Sequence, residues 1–305
     1  MIELSWIIFG SVVLLALFLD LFVFHRNPHK ISVKESLVLS AFWVGVGIAF
    51  SGYVYYTKGT QAFLEYITGY SLEKALSLDN IFVFILIFSY FKVPEEFRHK
   101  VLFWGVLGAI VFRAIFIFAG IELIKLFHWV IYIFGLILIV SAIKLLITEE
   151  KEFHPEETIV YKVAKRLIPL KPNYKDGKFF VREGKKLYAT PLFLSLLFVE
   201  SSDIMFAIDS VPAILAISRD PFIVYTSNIF AILGLRSLYF AASAILPFFH
   251  FLHYGLSFIL AFIGVKMLIS EFYKIPVFVS LLLIFSAVFI SVVASLLVKK
   301  KPSQP

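Results

Sequence analysis

The stretch that decides the fold reads SLEKALSLDN at residues 71–80, and it lies between two apolar segments. Residues 81–91 read IFVFILIFSYF, and residues 61–70 are also mostly apolar. Polar and charged side chains nevertheless occupy the middle of this segment, namely Glu73, Lys74, Asp79 and Asn80. An ionised side chain at the centre of a membrane span costs about 2.5–3.5 kcal/mol on insertion scales, so such residues indicate a polar interior with a function.

The composition of the whole chain predicts an integral membrane protein. Of its 305 residues, 60% are hydrophobic, and the mean hydropathy is +0.92, far above that of ordinary soluble domains. Several apolar runs reach the ~20 residues that a membrane-spanning helix needs. We therefore expect an all-α fold, a polytopic bundle of about nine spans at residues 4–25, 36–56, 60–91, 101–120, 129–148, 190–218, 221–247, 251–270 and 275–298.

The basic residues predict how the chain is oriented in the membrane. One set of alternate connections, which includes the polar stretch 149–189 and the tail 299–305, carries 19 Lys and Arg, whereas the other set carries 4. Cytoplasmic loops are enriched in Lys and Arg, so we place the N-terminus outside and the C-terminus in the cytoplasm, with the protein in the cell membrane. We read residues 4–25 as the first span and not as a cleavable signal peptide.

Two further compositional features narrow the possible functions. The net charge of +7 is explained by topology, and no basic patch is interleaved with stacking aromatic residues on a soluble domain, so nucleic acid is not an expected partner. The chain contains no cysteine, which excludes disulfides, thiolate metal sites and thiol redox chemistry within it.

Three sequence matches in the same order indicate an internal repeat. EKALSLDNIFV at 73–83 matches DIMFAIDSVPA at 203–213. Further along, GVLGAIVFRAIFI at 105–117 matches NIFAILGLRSLYF at 228–240, and AIKLLITEE at 142–150 matches GVKMLISEF at 264–272. Spans three to five therefore recur as spans six to eight.

The repeat divides the chain into five regions: the N-terminal spans (1–56), repeat 1 (57–148), a cytoplasmic loop (149–189), repeat 2 (190–271), and a last span with a basic tail (272–305). Each repeat has an odd number of spans, so the two repeats are expected to have inverted topology. Inverted repeats with long or interrupted helices are typical of secondary transporters, whose substrate sites lie near the bilayer midplane.

Five acidic residues are expected at membrane depth, namely Glu73, Asp79, Glu200, Asp203 and Asp209. The central basic residues that could pair with them are Arg113 and Arg236. Two arginines neutralise two carboxylates, which leaves about three acids for a divalent cation, for protons, or for both in alternation. The competing interpretation is that acid–arginine pairs only hold helices together.

Helical geometry divides these acids into two groups. Residues six apart on a straight helix point about 120° away from each other, so Glu73 and Asp79 cannot share a narrow face. We expect the ion site to be lined by Glu73, Asn80, Glu200 and Asp203. Asp79 and Asp209 either join the site, if the helix unwinds around 74–78, or pair with Arg113 and Arg236. Weaker candidates are Ser202, Ser210 and Asp20, and the last could equally be an interfacial residue.

The candidate ligands are all hard oxygen donors. Carboxylates, the Asn80 amide, serine hydroxyls and backbone carbonyls suit Mn²⁺, Ca²⁺ or Mg²⁺ better than copper or most zinc sites. Phosphate-binding glycine loops and nucleophile motifs are absent from the sequence, so we expect neither an enzyme nor an organic cofactor.

The sequence resembles the TerC family of integral membrane proteins, and within it the Alx-type members. The residues that carry the resemblance are LDLFVFHRNPHKISVKESL at 19–37, EKALSLDNIFVF at 73–84, FVESSDIMFAIDSVPAI at 198–214 and DPFIVYTSNIFAILGLRSLYF at 220–240. The family is associated with tellurite resistance, and its bacterial members are implicated in manganese export. The resemblance implies a Mn²⁺ efflux protein, with the family's acidic positions at Glu73, Asp79, Glu200, Asp203 and Asp209 and its following polar position at Asn80.

Three hypotheses of different classes remain. The first is a secondary transporter that exports a divalent cation, Mn²⁺ before Ca²⁺ or Mg²⁺, with proton exchange as an option. The second is a membrane scaffold that aids a stress complex or the metallation of exported proteins, for which the loop 149–189 could serve. The third is a passive cation channel. The oligomeric state and the coupling ion stay open.

Overall fold

The computed structural model describes residues 2–20, 32–147, 156, 158–170, 174, 177–183, 186–243, 245, 249 and 251–298. These residues form helices and one antiparallel hairpin. In chain order the elements are α1 (Ile2–Phe18), α2 (Val33–Tyr90), α3 (Glu95–Leu126), α4 (Val130–Ile147), α5 (Ile159–Leu167), β1 (Phe180–Glu183), β2 (Lys186–Ala189), α6 (Pro191–Leu215), α7 (Pro221–Ile232), α8 (Leu235–Ser243), α9 (Leu252–Leu268) and α10 (Val277–Leu297).

The helices make the chain a multi-pass membrane protein. Among the described residues, five helices are long and apolar enough to cross a bilayer, namely α2, α3, α4, α6 and α10. The count becomes six if α7 and α8, which are bent by 44°, form one span. Helices α1 and α9 have 17 residues each, fewer than the ~20 that a span needs. The number nine therefore stays a prediction, and the β1–β2 hairpin is an exception to the all-α expectation.

Helix α2 reverses direction at Gly59 and covers two of the predicted spans. Gly59 has φ of 86°, a value that glycine adopts without a steric penalty. Residues before Gly59 contact residues that follow it. The rings of Tyr55 and Phe63 are 5.9 Å apart, and farther from Gly59 the Tyr66 hydroxyl donates to the Gly47 carbonyl at 3.2 Å. The part before Gly59 and the part after it therefore run antiparallel.

Helices α4 and α9 form a close antiparallel pair. The Ser257 hydroxyl donates to the Ala142 carbonyl at 2.6 Å. Gly135 meets Gly264 so closely that a Cβ atom built at Gly135 would lie 2.9 Å from the Gly264 carbonyl oxygen. Residue numbers rise along α4 while they fall along α9 between these two contacts, which fixes their antiparallel direction.

Predicted span seven is interrupted between α7 and α8. Helix α7 begins at Pro221, where the Asp220 carboxylate accepts hydrogen bonds from the backbone N–H groups of Phe222 and Ile223. It ends at Ile232, and Gly234 with φ of 78° separates it from α8. The second part of α2 and α6 remain helical over their whole described lengths.

Candidate functional site

A buried polar cluster joins α2, α3 and α7 around Glu73. An Arg113 Nη1 nitrogen lies 2.5 Å from Glu73 Oε1, and the two side chains are only 1% and 2% exposed. The Asn228 amide donates to Glu73 Oε2 at 3.0 Å, and its carbonyl accepts from Arg113 at 2.8 Å. Arg113 also lies 3.4 Å from the Ser210 hydroxyl on α6. The cluster therefore joins side chains from four helices, while Arg113 Nε and Nη2 have no hydrogen-bond partner among the described residues.

Beside this cluster, α6 carries two carboxylates that lack such partners. Glu200 and Asp203 are three residues apart, so they lie on one face of the helix. Asp203 is 4% exposed and lies within electrostatic range of Arg113 and Glu73. Among the described residues, neither Glu200 Oε2 nor Asp203 Oδ2 has a hydrogen-bond donor, although both atoms are buried. Buried carboxylates of this kind attract a cation or a proton.

A third group contains the two remaining acids of the repeat. Asp79 on α2 and Asp209 on α6 are half-buried and lie within electrostatic range of each other. Asp209 Oδ1 accepts a hydrogen bond of 2.6 Å from the Ser141 hydroxyl on α4, and Lys144 is close enough to interact with it. This pair therefore lies at the junction of α2, α4 and α6.

The second buried arginine has a different role from the first. Arg236 Nη2 on α8 lies 2.6 Å from the Asp20 carboxylate and donates to the Asp20 carbonyl at 2.5 Å. This pair ties the end of α1 to α8. Nearby, Lys74 Nζ lies 3.5 Å from the Leu233 carbonyl, where α7 ends, in agreement with the preference of helix C-termini for positive charge.

These contacts decide between the geometries that the sequence left open. Of the two alternatives, unwinding around 74–78 does not occur, because residues 60–90 are continuously helical after the reversal at Gly59. The ion pairs of Arg113 and Arg236 are made with Glu73 and Asp20, not with Asp79 and Asp209. A straight helix turns Glu73 and Asp79 to different sides, so one acid reaches Arg113 while the other faces Asp209.

The site residues that were predicted are thus distributed over separate groups. Asn80 is 2% exposed on the Glu73 side of α2. The Ser202 hydroxyl donates to the Val199 carbonyl of its own helix at 2.7 Å. In the described part of the chain, no three Asp, Glu, His or Cys side chains gather closely enough to hold a metal ion. Among the described residues, Glu200 and Asp203 are neighbouring acids that each have a buried oxygen atom with no hydrogen-bond donor.

Three residues of these groups were not predicted, namely Asn228, Ser141 and Gly108. Asn228 was signalled weakly, since it is an amide within an apolar span and stands at the start of a repeat match. Ser141 carries no recognisable signal, because serines are common in membrane helices. Gly108 can be identified only from coordinates: a Cβ atom there would lie 2.1 Å from Glu200 Oε1.

Replacing Gly108 by alanine is expected to displace the Glu200 carboxylate from α3 and to lower the divalent-cation flux that the transporter hypothesis from the sequence predicts. The new methyl group would occupy the position of the carboxylate, so Glu200 must take another rotamer. The matched control is Gly45→Ala, because a Cβ atom at Gly45 has no neighbour within 4 Å. Both changes favour helix by about 1 kcal/mol. The measurement is divalent-cation flux into proteoliposomes. Equal flux in the two variants would show that the position of the Glu200 carboxylate does not affect it.

Comparison with known proteins places the chain in a family. The family model described as "Integral membrane protein TerC family" matches residues 58–303. The uncharacterized membrane protein STKORF319 of Myxococcus xanthus is 48% identical over 292 residues, which cover 96% of this chain and 92% of that protein. A relative in Salmonella typhi, named Alx and described as a candidate membrane-bound redox modulator, is 43% identical over 299 residues, covering 95% of this chain and 93% of its own length. No solved structure matches the chain. Because the family model covers most of the sequence, the chain belongs to the TerC family of integral membrane proteins.

Proposed function

We propose that this protein is a secondary transporter that exports a hard divalent cation from the cytoplasm, with Mn²⁺ as the principal cargo. The observation that carries the proposal is the pair formed by the partly buried Glu200 and the buried Asp203, each with a buried carboxylate oxygen that has no donor in the described structure. Two carboxylates inside a membrane bundle are expensive unless a cation compensates them. Their hard oxygen atoms favour Mn²⁺, Ca²⁺ or Mg²⁺ over softer metals.

The transported ion would be held by few protein ligands. With two carboxylates available, a divalent cation keeps part of its water shell, as Mg²⁺ usually does in proteins. A site of this kind binds weakly enough to release its ion, which a transporter needs. Glu73 is not a free ligand in this arrangement, because Arg113 and Asn228 occupy both of its oxygen atoms. We assign Glu73 and Arg113 to positioning the helices that face Asp203.

We also propose that the two repeats are related by inverted topology. The match of 142–150 with 264–272 pairs Ala142 with Gly264, and its extension toward the N-terminus in the same register pairs Gly135 with Ser257. When each residue is replaced by its counterpart, the contact of Gly135 with Gly264 becomes the contact of Ser257 with Ala142. Such an exchange is expected for two elements related by a twofold axis. The antiparallel direction of α4 and α9 supports an axis in the membrane plane, which is the arrangement of many secondary transporters.

Proton exchange is a natural partner reaction for such a site. A carboxylate that releases a metal ion can take up a proton, so the return step needs no further group. Glu200 and Asp203 interact electrostatically, and two nearby carboxylates do not readily remain charged together without a cation. We propose that protons replace the metal ion at this pair during the return step.

The direct test is ion flux into proteoliposomes that contain the purified protein. We expect saturable Mn²⁺ flux that is accompanied by proton movement in the opposite direction, with Ca²⁺ and Mg²⁺ as weaker competitors. Ohmic conductance without proton movement would indicate the channel. The absence of flux for every divalent cation tested would favour the hypothesis of a membrane scaffold. The chain has no cysteine, so a redox role like that in the name of the Alx relatives would not use a thiol of this chain.

A further inference from the structure

Helix α5 in the loop 149–189 has an apolar stripe that the rest of the described protein leaves uncovered. Its exposed apolar side chains are Ile159, Val163 and Leu167, which are 79%, 47% and 73% exposed. They are four residues apart, so successive members are offset by only about 40° around the helix and form one continuous stripe. The Thr158 hydroxyl caps the helix by accepting a hydrogen bond from the Tyr161 N–H at 3.3 Å.

The rest of the helix surface explains which way this stripe is oriented. On one side of the stripe, Val160 and Tyr161 pack against the apolar cluster of α2, α3 and α6, and Ala164 is buried. On its other side lie the exposed basic residues Lys162, Lys165 and Arg166. The uncovered apolar stripe therefore lies between the face that packs against the protein and the basic face. This is the pattern of a helix that lies in a membrane interface.

Contacts from the loop hold α5 at the level where the membrane helices end. The Tyr90 hydroxyl, at the last residue of α2, donates to the Glu156 carboxylate, which lies just before α5. The Tyr174 hydroxyl donates to the Phe91 carbonyl, and burial raises the pKa of Tyr174 to about 12, so this donor stays protonated at physiological pH. Lys100 Nζ near the start of α3 donates to the Gly177 carbonyl at 2.7 Å.

We propose that α5 is an interfacial helix that binds the anionic lipid headgroups of the same bilayer that the protein spans. The apolar stripe would enter the boundary between headgroups and acyl chains. Lys162 and Arg166 border the stripe, so their long side chains can reach the phosphate groups beside it. The positive-inside count places this loop on the cytoplasmic side, where the leaflet is negatively charged. This proposal does not depend on which ion the protein transports.

The absence of cysteine from the chain makes a direct test possible, because a single introduced cysteine can be labelled alone. The full-length protein carries Val163→Cys or Leu167→Cys with an environment-sensitive fluorophore, and Lys165→Cys is the matched control on the basic face. Each protein is reconstituted into vesicles of phosphatidylcholine, with or without phosphatidylglycerol. Some vesicles also contain a lipid with a quencher near its headgroup.

We expect the probes at residues 163 and 167 to shift to shorter wavelength and to be quenched from the lipid, more strongly in the anionic vesicles. The probe at residue 165 should keep the emission of a water-exposed dye. The change Lys162→Gln with Arg166→Gln should lower the ratio of docked to undocked helix about 25-fold in anionic vesicles, at about fivefold for each basic side chain.

Two results would overturn the proposal. One is water-like, unquenched emission from residues 163 and 167 in anionic vesicles. The other is short-wavelength emission that persists in detergent and is insensitive to the lipid quencher, which would mean that a second copy or another protein covers the stripe. Labelled protein that elutes as a single species in size exclusion shows that the substitutions leave the fold intact, so neither result could be ascribed to misfolding.

Discussion

Replacing Arg113 by glutamine is expected to destabilise the protein by about 3–5 kcal/mol, the usual cost of leaving one partner of a buried ion pair alone. Glu73 would then keep a charged oxygen in a site that is 2% exposed, with only the Asn228 amide to compensate it. The measurement is the unfolding temperature of the purified protein in detergent. Arg182→Gln is a suitable control, since Arg182 is exposed on β1 and surface changes usually stay within about 0.5 kcal/mol.

The double variant Glu73→Gln with Arg113→Gln identifies the cause. If the loss in the single variant comes from an uncompensated charge, removing both charges should restore part of the stability, so the effects of the two changes should not add. An Arg113→Gln protein as stable as the Arg182→Gln control would contradict the role that we assign to this pair.

Replacing Glu200 by glutamine and Asp203 by asparagine should lower transport without lowering stability. This differs from Arg113→Gln, which is expected to destabilise the protein. Both changes keep the shape of the side chain and remove its charge. Because the acceptor oxygens of these carboxylates lack donors in the described structure, neutral amides should leave the unfolding temperature unchanged or raise it. Mn²⁺ flux should fall by at least about tenfold, since even the loss of groups that only support metal ligands often has effects of this size.

The control for these variants is Glu122→Gln, which removes a carboxylate that is 61% exposed and paired with Lys125 at the surface. Its flux should match that of the unchanged protein. A lower flux together with an unchanged or raised unfolding temperature would distinguish a functional site from structural ion pairs. Acids that cost stability are retained for their activity. If the Glu200→Gln and Asp203→Asn proteins unfold at much lower temperature and transport normally once folded, these acids only hold helices together.

Much of the fold follows from the sequence because membrane helices are specified by long apolar runs. The described helices α3, α4, α6 and α10 lie close to predicted spans four, five, six and nine. The reversal at Gly59 separates predicted spans two and three, although both belong to α2. Hydropathy does not reveal whether a short helix such as α9 crosses the bilayer, because that depends on tilt and on neighbouring helices.

The acids of the site could be identified from the sequence, but their partners could not. Charge counts show that arginines are scarce, and they do not show which carboxylate an arginine reaches. That choice depends on how the helices cross: Arg113 on α3 meets Glu73, whereas Arg236 on α8 meets Asp20 at the end of α1. The repeat therefore does not extend to the ion pairs, since Arg113 and Arg236 correspond in sequence and bind acids that do not correspond.

The most direct test of the central proposal is to locate Mn²⁺ by anomalous scattering in crystals of the full-length protein grown or soaked with this ion. We predict a peak between the carboxylates of Glu200 and Asp203 that disappears in the protein with Glu200→Gln and Asp203→Asn. A peak at the Asp79–Asp209 pair with none at Glu200 and Asp203, or no peak within the membrane helices at saturating Mn²⁺, would contradict it.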